Sequence, residues 1–146
     1  MGTVLDTTVF VEFARATRTL AAERAMQAVG ERLEDRLGAD DQVAVAAITA
    51  SELLHGAHRA TEEHRARREA FVEAVLNAFP VVSFDLLIAR VHSRLWAGLA
   101  SSGADVGAHD RIVAATAMAA GWRVGTANMR HFGRIPGLDT TLITLT

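Results

Sequence analysis

The sequence predicts an α/β domain with a central, mainly parallel sheet of four to five strands, covered by helices on both faces. Three observations predict it. Short apolar runs rich in β-branched residues alternate with longer segments whose apolar residues recur every three or four positions. The segments between successive runs are long enough for helices, as parallel strands require. No Pro/Ser-rich linker, internal repeat or low-complexity stretch interrupts the 146 residues, so the reading is one domain over 1–146.

Each element has its own reason. Val4–Leu5 is the first strand candidate, ending on Asp6. Thr8–Ala16 carries Val9, Phe10 and Phe13 at helical spacing. From Leu20 to Leu37, Ala25, Met26, Val29, Leu33 and Leu37 form one apolar face opposite Glu and Arg, and Gly38-Ala39-Asp40-Asp41 breaks the helix. Val43–Ile48 reads as a second strand and Thr49–Ala57 as the next helix. Thr61–Phe79 is a longer helix, charged at first and then apolar, stopped by Pro80. Val81–Ser83 is a brief third strand. Asp85–Ser101 is helical, with Leu87, Ile88, Val91, Leu95 and Leu99 on one face. Ala108–Ala120 is an Ala-rich helix that reads as buried, closed by Gly121. Arg123–Thr126 is a fourth strand and Thr141–Leu145 a fifth.

Composition excludes several classes of function. Without cysteine there is no disulfide framework, thiolate metal site or thiol nucleophile. No charged start leads into a long apolar run, so no signal peptide is expected, and no run is long and apolar enough to span a membrane. A cytoplasmic protein is expected. The net charge of -2 lends no bulk support to nucleic-acid binding, so such a function must rest on local features. All 15 basic residues are Arg, which pairs phosphates bidentately but also accords with an Ala- and Arg-rich genome. The signatures of a P-loop, a nucleophile elbow and a His-Glu-x-x-His zinc site are absent. His55, His58 and His64 lie near one another without a zinc-site spacing.

Three acids stand at the openings of predicted helices: Asp6, Glu52 and Asp110. Each fits a structural role, because an acid at a helix N-terminus satisfies free N–H groups and suits the dipole. Thr49…Glu52 matches a capping box. Together they read differently. Asp6 and Glu52 closely follow strands, at the carboxyl edge where open α/β sheets bind ligands. Asp110 opens a helix whose only other charge is Arg111. Acids brought into one crevice repel one another, and a hard divalent cation relieves that repulsion.

Four blocks carry a resemblance: Leu5-Asp6-Thr7-Thr8, the run Ile48–Gly56 around Glu52, the run Val106–Ala115 around Asp110, and Thr126-Ala127-Asn128-Met129-Arg130-His131-Phe132 with the Gly133–Leu138 tail. In this order, over nearly the whole chain, they resemble the PIN-domain ribonucleases, most strongly the VapC toxins of bacterial toxin–antitoxin pairs. The resemblance implies a three-layer α/β/α PIN-like domain and an Mg²⁺- or Mn²⁺-dependent endoribonuclease, the toxin of a type II pair. Such an enzyme cuts structured RNA such as tRNA or rRNA with a metal-activated water, leaving a 5′-phosphate and a 3′-hydroxyl. By the family pattern Asp6, Glu52 and Asp110 are the catalytic, metal-binding acids, and Thr7 and Thr126 support them. A small VapB-like antitoxin that occupies the groove is the implied partner, in a homodimer or a toxin–antitoxin hetero-oligomer with no membrane.

One departure stands out. The family often carries a fourth acid in the Thr126–Phe132 block, where this chain has Asn128 and His131. Asn128 is expected as a weaker ligand, directly or through water, and whether Asn128, His131 or Asp105 in the preceding loop replaces the fourth acid stays open. His109 could orient Asp110 or touch substrate, but reads more simply as an exposed histidine. Arg111 and Arg130, with Arg123 and Arg134, are candidates for RNA phosphates, and the apolar residues around Phe10, Phe13, Leu53 and Leu54 for the antitoxin groove. Two other readings stay open: a PIN-type nuclease of RNA processing, and a degenerate, non-catalytic interaction domain whose acids are only helix caps.

Overall fold

The computed structural model describes residues 1–145; Thr146, the last residue of the expected domain, lies outside them. The strands are β1 (Gly2–Leu5), β2 (Gln42–Ala46), β3 (Val81–Val82), β4 (Arg123–Thr126) and β5 (Thr140–Leu142). The helices are α1 (Thr7–Ala16), α2 (Ala22–Leu37), α3 (Ala47–His58), α4 (Glu62–Ala78), α5 (Leu86–Ser102) and α6 (Ala108–Ala120). One turn of 3-10 helix, Met129–His131, follows β4. The sheet order is β3-β2-β1-β4-β5, and every pairing is parallel. β1 is therefore the central strand, with Leu5 in register with Val45 on one side and Gly125 on the other.

The sheet divides two cores by the alternation of side chains along each strand. Leu5 and Val45 face a core with Val9, Phe10, Phe13, Val29, Leu53, Phe71 and Val75, supplied by α1 to α4. Val4, Ala46 and Val124 face the other, with Leu95, Leu99, Val113, Ala114, Ala117 and Phe132 from α5, α6 and the turn after β4. Small side chains let α6 lie close to the sheet, and Ala114, Ala115 and Ala117 are fully buried. Gly121 ends α6 in the left-handed conformation at φ 70°, where a Cβ would be strained. No described helix is long and apolar enough to cross a membrane.

The second strand is shorter than its sequence suggests. β2 stops at Ala46, and Ala47 and Ile48 already belong to α3. The continuous apolar run Val43–Ile48 contains no mark of the junction, because its first half is buried as strand and its second as helix. Consequently Thr49 and Glu52 do not form a capping box. The helix N-cap is Ala46, and Thr49 is fully buried in the first turn with no partner for its hydroxyl among the described residues. Thr49→Val should therefore raise stability by about 1 kcal/mol, since a buried unsatisfied hydroxyl carries a desolvation cost that an isosteric methyl lacks. Urea denaturation of the two proteins measures the difference. At the chain's far end β5 spans Thr140–Leu142, so it starts one residue before the expected Thr141–Leu145 run and shares only Thr141 and Leu142 with it.

Candidate functional site

The site grows from the central strand. β1 delivers Asp6 to the N-cap of α1, at the carboxyl edge of the sheet, where the Asp6 amide donates to Gly125 O at 3.0 Å. Only 3% of Asp6 is exposed. Thr8 Oγ1 donates to Asp6 Oδ1 at 2.6 Å and Thr126 Oγ1 to Asp6 Oδ2 at 2.9 Å. These hydroxyls are aimed by the backbone after β4: the Ala127 amide donates to Thr8 Oγ1 and the Asn128 amide to Thr126 Oγ1, both at 3.0 Å. Burial pushes the Asp6 carboxyl above its ordinary range. The two hydroxyls oppose that shift, and the charge of Asp110 reinforces it.

Glu52 projects from the second turn of α3, and Asp110 from the first turn of α6. Thr7 Oγ1 donates to Glu52 Oε1 at 2.7 Å, so neighbouring hydroxyls at the start of α1 hold two different acids. His109 faces Glu52 rather than its neighbour Asp110, with Nδ1 3.4 Å from Glu52 Oε2. His131 faces Asp110, its Nδ1 3.7 Å from Oδ2. Burial raises the Asp110 carboxyl. His131 and His109 draw it down, while Glu52 pushes it up. The acids thus form a line of repulsion from Asp6 through Asp110 to Glu52. Among the described residues no three His, Cys, Asp or Glu side chains converge tightly enough to enclose an ion.

That geometry still suits one kind of cation. Mg²⁺ uses one or two carboxylates and keeps several waters, so it does not need a closed cage. The Thr8 and Thr126 hydroxyls and the Val9 amide act on the Asp6 carboxylate, and of its roughly four lone-pair sites this leaves about one free for a cation or its water. The oxygen-only acids, their mutual repulsion and the upward shifts of Asp6 and Asp110 are what a hard divalent ion would relieve.

Other residues singled out by the sequence have different occupations. Asn128 caps the 3-10 turn: its Oδ1 accepts from the Arg130 amide at 3.2 Å and its Nδ2 lies 3.1 Å from His131 Nε2. This leaves one lone pair on Oδ1 and makes Asn128 a brace for the ring that faces Asp110. Arg111 is not placed to meet phosphate. It points away from Asp110, donates to Val106 O at 2.6 Å and stacks over Trp96 at 4.8 Å, tying α6 to α5 and the loop between them. Arg123 sits at the opposite end of the sheet, bonded to Thr3 Oγ1 and paired with Asp41. Arg130 and Arg134 are exposed on the site's side of β4. Asp105 is exposed in the α5–α6 loop with no hydrogen bond or ion pair among the described residues. His55, His58 and His64 do not assemble into a metal site among the described residues.

Thr8 is the residue that reading the sequence missed. Its signal was present: a hydroxyl two positions after an N-cap acid can turn back on that acid's side chain. Its second bond, to Ala127, depends on β1 and β4 being neighbours and is invisible in the chain order.

Comparison with known proteins agrees with the fold. The family model for the PIN domain matches residues 3–138. Ribonuclease VapC1 of Rickettsia felis is 27% identical over 144 residues, 98% of this chain and 97% of its own. The tRNA(fMet)-specific endonuclease VapC of Salmonella typhimurium is 31% identical over 109 residues, covering 74% of this chain and 81% of its own. Among solved structures, DNA-bound VapBC from Salmonella typhimurium superposes with a TM-score of 0.74 at 28% identity, covering 97% of both chains. A three-layer α/β/α sheet, acids at its carboxyl edge and a match over 3–138 make this chain a member of the PIN-domain family, in its VapC branch.

Proposed function

We propose that the protein is a divalent-metal-dependent endoribonuclease, the toxin of a toxin–antitoxin pair acting in the cytoplasm on structured RNA such as tRNA. The observation that carries this is the line of acids Asp6–Asp110–Glu52 at the carboxyl edge of the sheet, with Asp6 and Asp110 held above their ordinary carboxyl range by burial and by the next acid along the line. A line of mutually repelling acids goes beyond what capping three separate helices needs. The named relatives supply the substrate class, since one is a tRNA(fMet)-specific endonuclease.

Asp6, Asp110 and Glu52 hold the cation, which is Mg²⁺ or Mn²⁺. When bound it supplies a water of lowered pKa and neutralises phosphate charge. Thr8 and Thr126 fix the rotamer of Asp6 and Thr7 that of Glu52. His109 and His131 flank the entrance and donate to the acids or to phosphate oxygens. Asn128 keeps His131 in place and offers a neutral oxygen where relatives often have an acid, which favours one tightly held ion over two. A groove of about 760 Å³ between α1, the α1–α2 loop and α4 has Phe10, Val11, Leu53 and Phe71 in its lining and ends at Glu52. It is the seat for a VapB-like antitoxin, whose presence there would block the acids.

The test is cleavage of a tRNA pool by purified protein. Cutting should require Mg²⁺ or Mn²⁺, stop with a chelator, and fall at least about 100-fold in Asp110→Asn. Calorimetric titration of Mn²⁺ should show stoichiometric binding that Asp110→Asn weakens. Undiminished cleavage in chelator would remove the metal from the reading.

A further inference from the structure

We infer a second RNA-contacting surface outside the acids: a basic basin between the end of α3 and the start of α4 that seats the phosphate backbone of the strand flanking the cut. It rests on the reading of the acids as an RNA nuclease. The basin, about 840 Å³, begins at Thr7 and Glu52 and runs outward along α3 to the first turns of α4. Arg59, Arg68, His55 and His64 line it, and Glu52, at the end shared with the acids, is its sole acid.

Three further observations support phosphate as the occupant. Arg59 and Arg68 make no side-chain hydrogen bond or ion pair among the described residues, whereas Arg32, Arg65, Arg111 and Arg123 are engaged with protein groups. His64 has only an exposed contact with Glu63 at 3.9 Å. The α4 residues from Glu62 to Ala70 are all exposed, so this part of the helix stands clear of the core and presents its cations freely. The basin shares Thr7, Glu52, Gly56, His64 and Arg68 with the adjoining groove, but Phe10, Leu53 and Phe71 line only that groove, so the basin itself has no large apolar side chain on which a protein segment could anchor. A strand passing the acids at Glu52 therefore continues past hydroxyls, imidazoles and guanidinium groups, which are donors for phosphate oxygens.

Counterion release gives the test a specific reading. Each phosphate neutralised on a single strand contributes about 0.7 to the slope of log affinity against log salt. Binding of a fluorescent single-stranded RNA to the full chain is measured in chelator, which prevents cutting, over a series of salt concentrations. Arg59→Gln/Arg68→Gln should weaken binding about tenfold or more at low salt and lower the slope by about 1.4, twice the single-site value. Arg59→Lys/Arg68→Lys should restore the slope, because charge and not fork geometry sets it. Arg90→Gln/Arg94→Gln, which removes the same charge from exposed positions on α5, should leave it unchanged. If the double Gln variant melts early, the single variants should each lower the slope by about 0.7. An unchanged slope in the Gln variants overturns the basin, as does an equal loss in the α5 control. So does a variant that keeps RNA affinity while losing affinity for an acidic peptide, which would make the basin a protein seat. A wild-type chain that binds RNA with the expected slopes but cuts none leaves the basin standing and removes the nuclease reading instead.

Discussion

Asp6→Asn is expected to lower metal-dependent RNA cleavage on the order of 1,000-fold while leaving the fold at least as stable at neutral pH. The substitution keeps the shape and removes the charge. The Asn oxygen can accept from one threonine hydroxyl and its amide can donate to the other, so the Thr8–Asp6–Thr126 arrangement retains its partners. What is lost is the most buried of the three carboxylates. The pH dependence of stability separates this account from simple damage to the fold. Asp6 and Asp110 hold their protons above the ordinary carboxyl range in the folded chain. Between that range and their raised values, the folded state binds more protons than the unfolded state. Cation-free stability should therefore fall as pH rises through this window. Asp6→Asn should flatten the fall, and added Mn²⁺ should reverse it in the wild type, because the cation binds the deprotonated acids. Denaturation in urea across roughly pH 4 to 7, with chelator and with Mn²⁺, measures all three. Cleavage by Asp6→Asn at the wild-type rate would dissolve the site.

Much of this arrangement was legible in the chain because it is local. The apolar run before Asp6, the alternation of Val4 and Leu5 between two cores, and the small-residue periodicity of α6 each act over a few residues. Those signals survive without knowledge of neighbours. The failures have the opposite character. The β2–α3 junction lies inside an uninterrupted apolar run, and only the packing of Val45 as strand and Leu53 as helix decides where the chain turns. Arg111 is adjacent to Asp110 in sequence, yet successive helical residues point about 100° apart, which sends it to Trp96 on α5. Likewise Arg123 begins a strand that ends near the site, so a four-residue strand separates it from the chemistry. His109 is exposed, as its place beside Asp110 at a helix opening allowed, but its contact with Glu52 joins α6 to α3 and no local pattern encodes it. The basic basin is of the same kind, because α3 and α4 must pack side by side before Arg59 and Arg68 share a wall.

Gly125→Val is expected to be the most destabilising of the substitutions considered, by about 3 kcal/mol, the upper part of the range for overpacking a core. Gly125 sits in the middle of β4, between the central strand and β5. A Cβ there would lie 2.6 Å from Ile143 Cδ1, 2.9 Å from Leu5 Cδ2 and 2.9 Å from Thr3 Cγ2. All three neighbours are almost fully buried, so they have little room to withdraw, and the branched Thr3 has no alternative reach. The backbone has to yield, and it is the backbone that sets the site. The Asp6 amide bonds Gly125 O, and Thr126, the next residue, holds Asp6 Oδ2. Separating β4 from β1 by even part of an ångström lengthens both bonds. The melting temperature should fall by roughly 10 °C, and cleavage by the protein that remains folded should fall as well, with weaker Mn²⁺ binding. A core substitution outside this strand pair, such as Val75→Ala on the buried face of α4, should lower stability by about 2 kcal/mol without changing Mn²⁺ affinity in the folded fraction. That contrast distinguishes a glycine kept for the spacing of two strands from one kept only for packing. If Gly125→Val binds Mn²⁺ as tightly as the wild type at a temperature where both are folded, the β1–β4 spacing does not position Asp6.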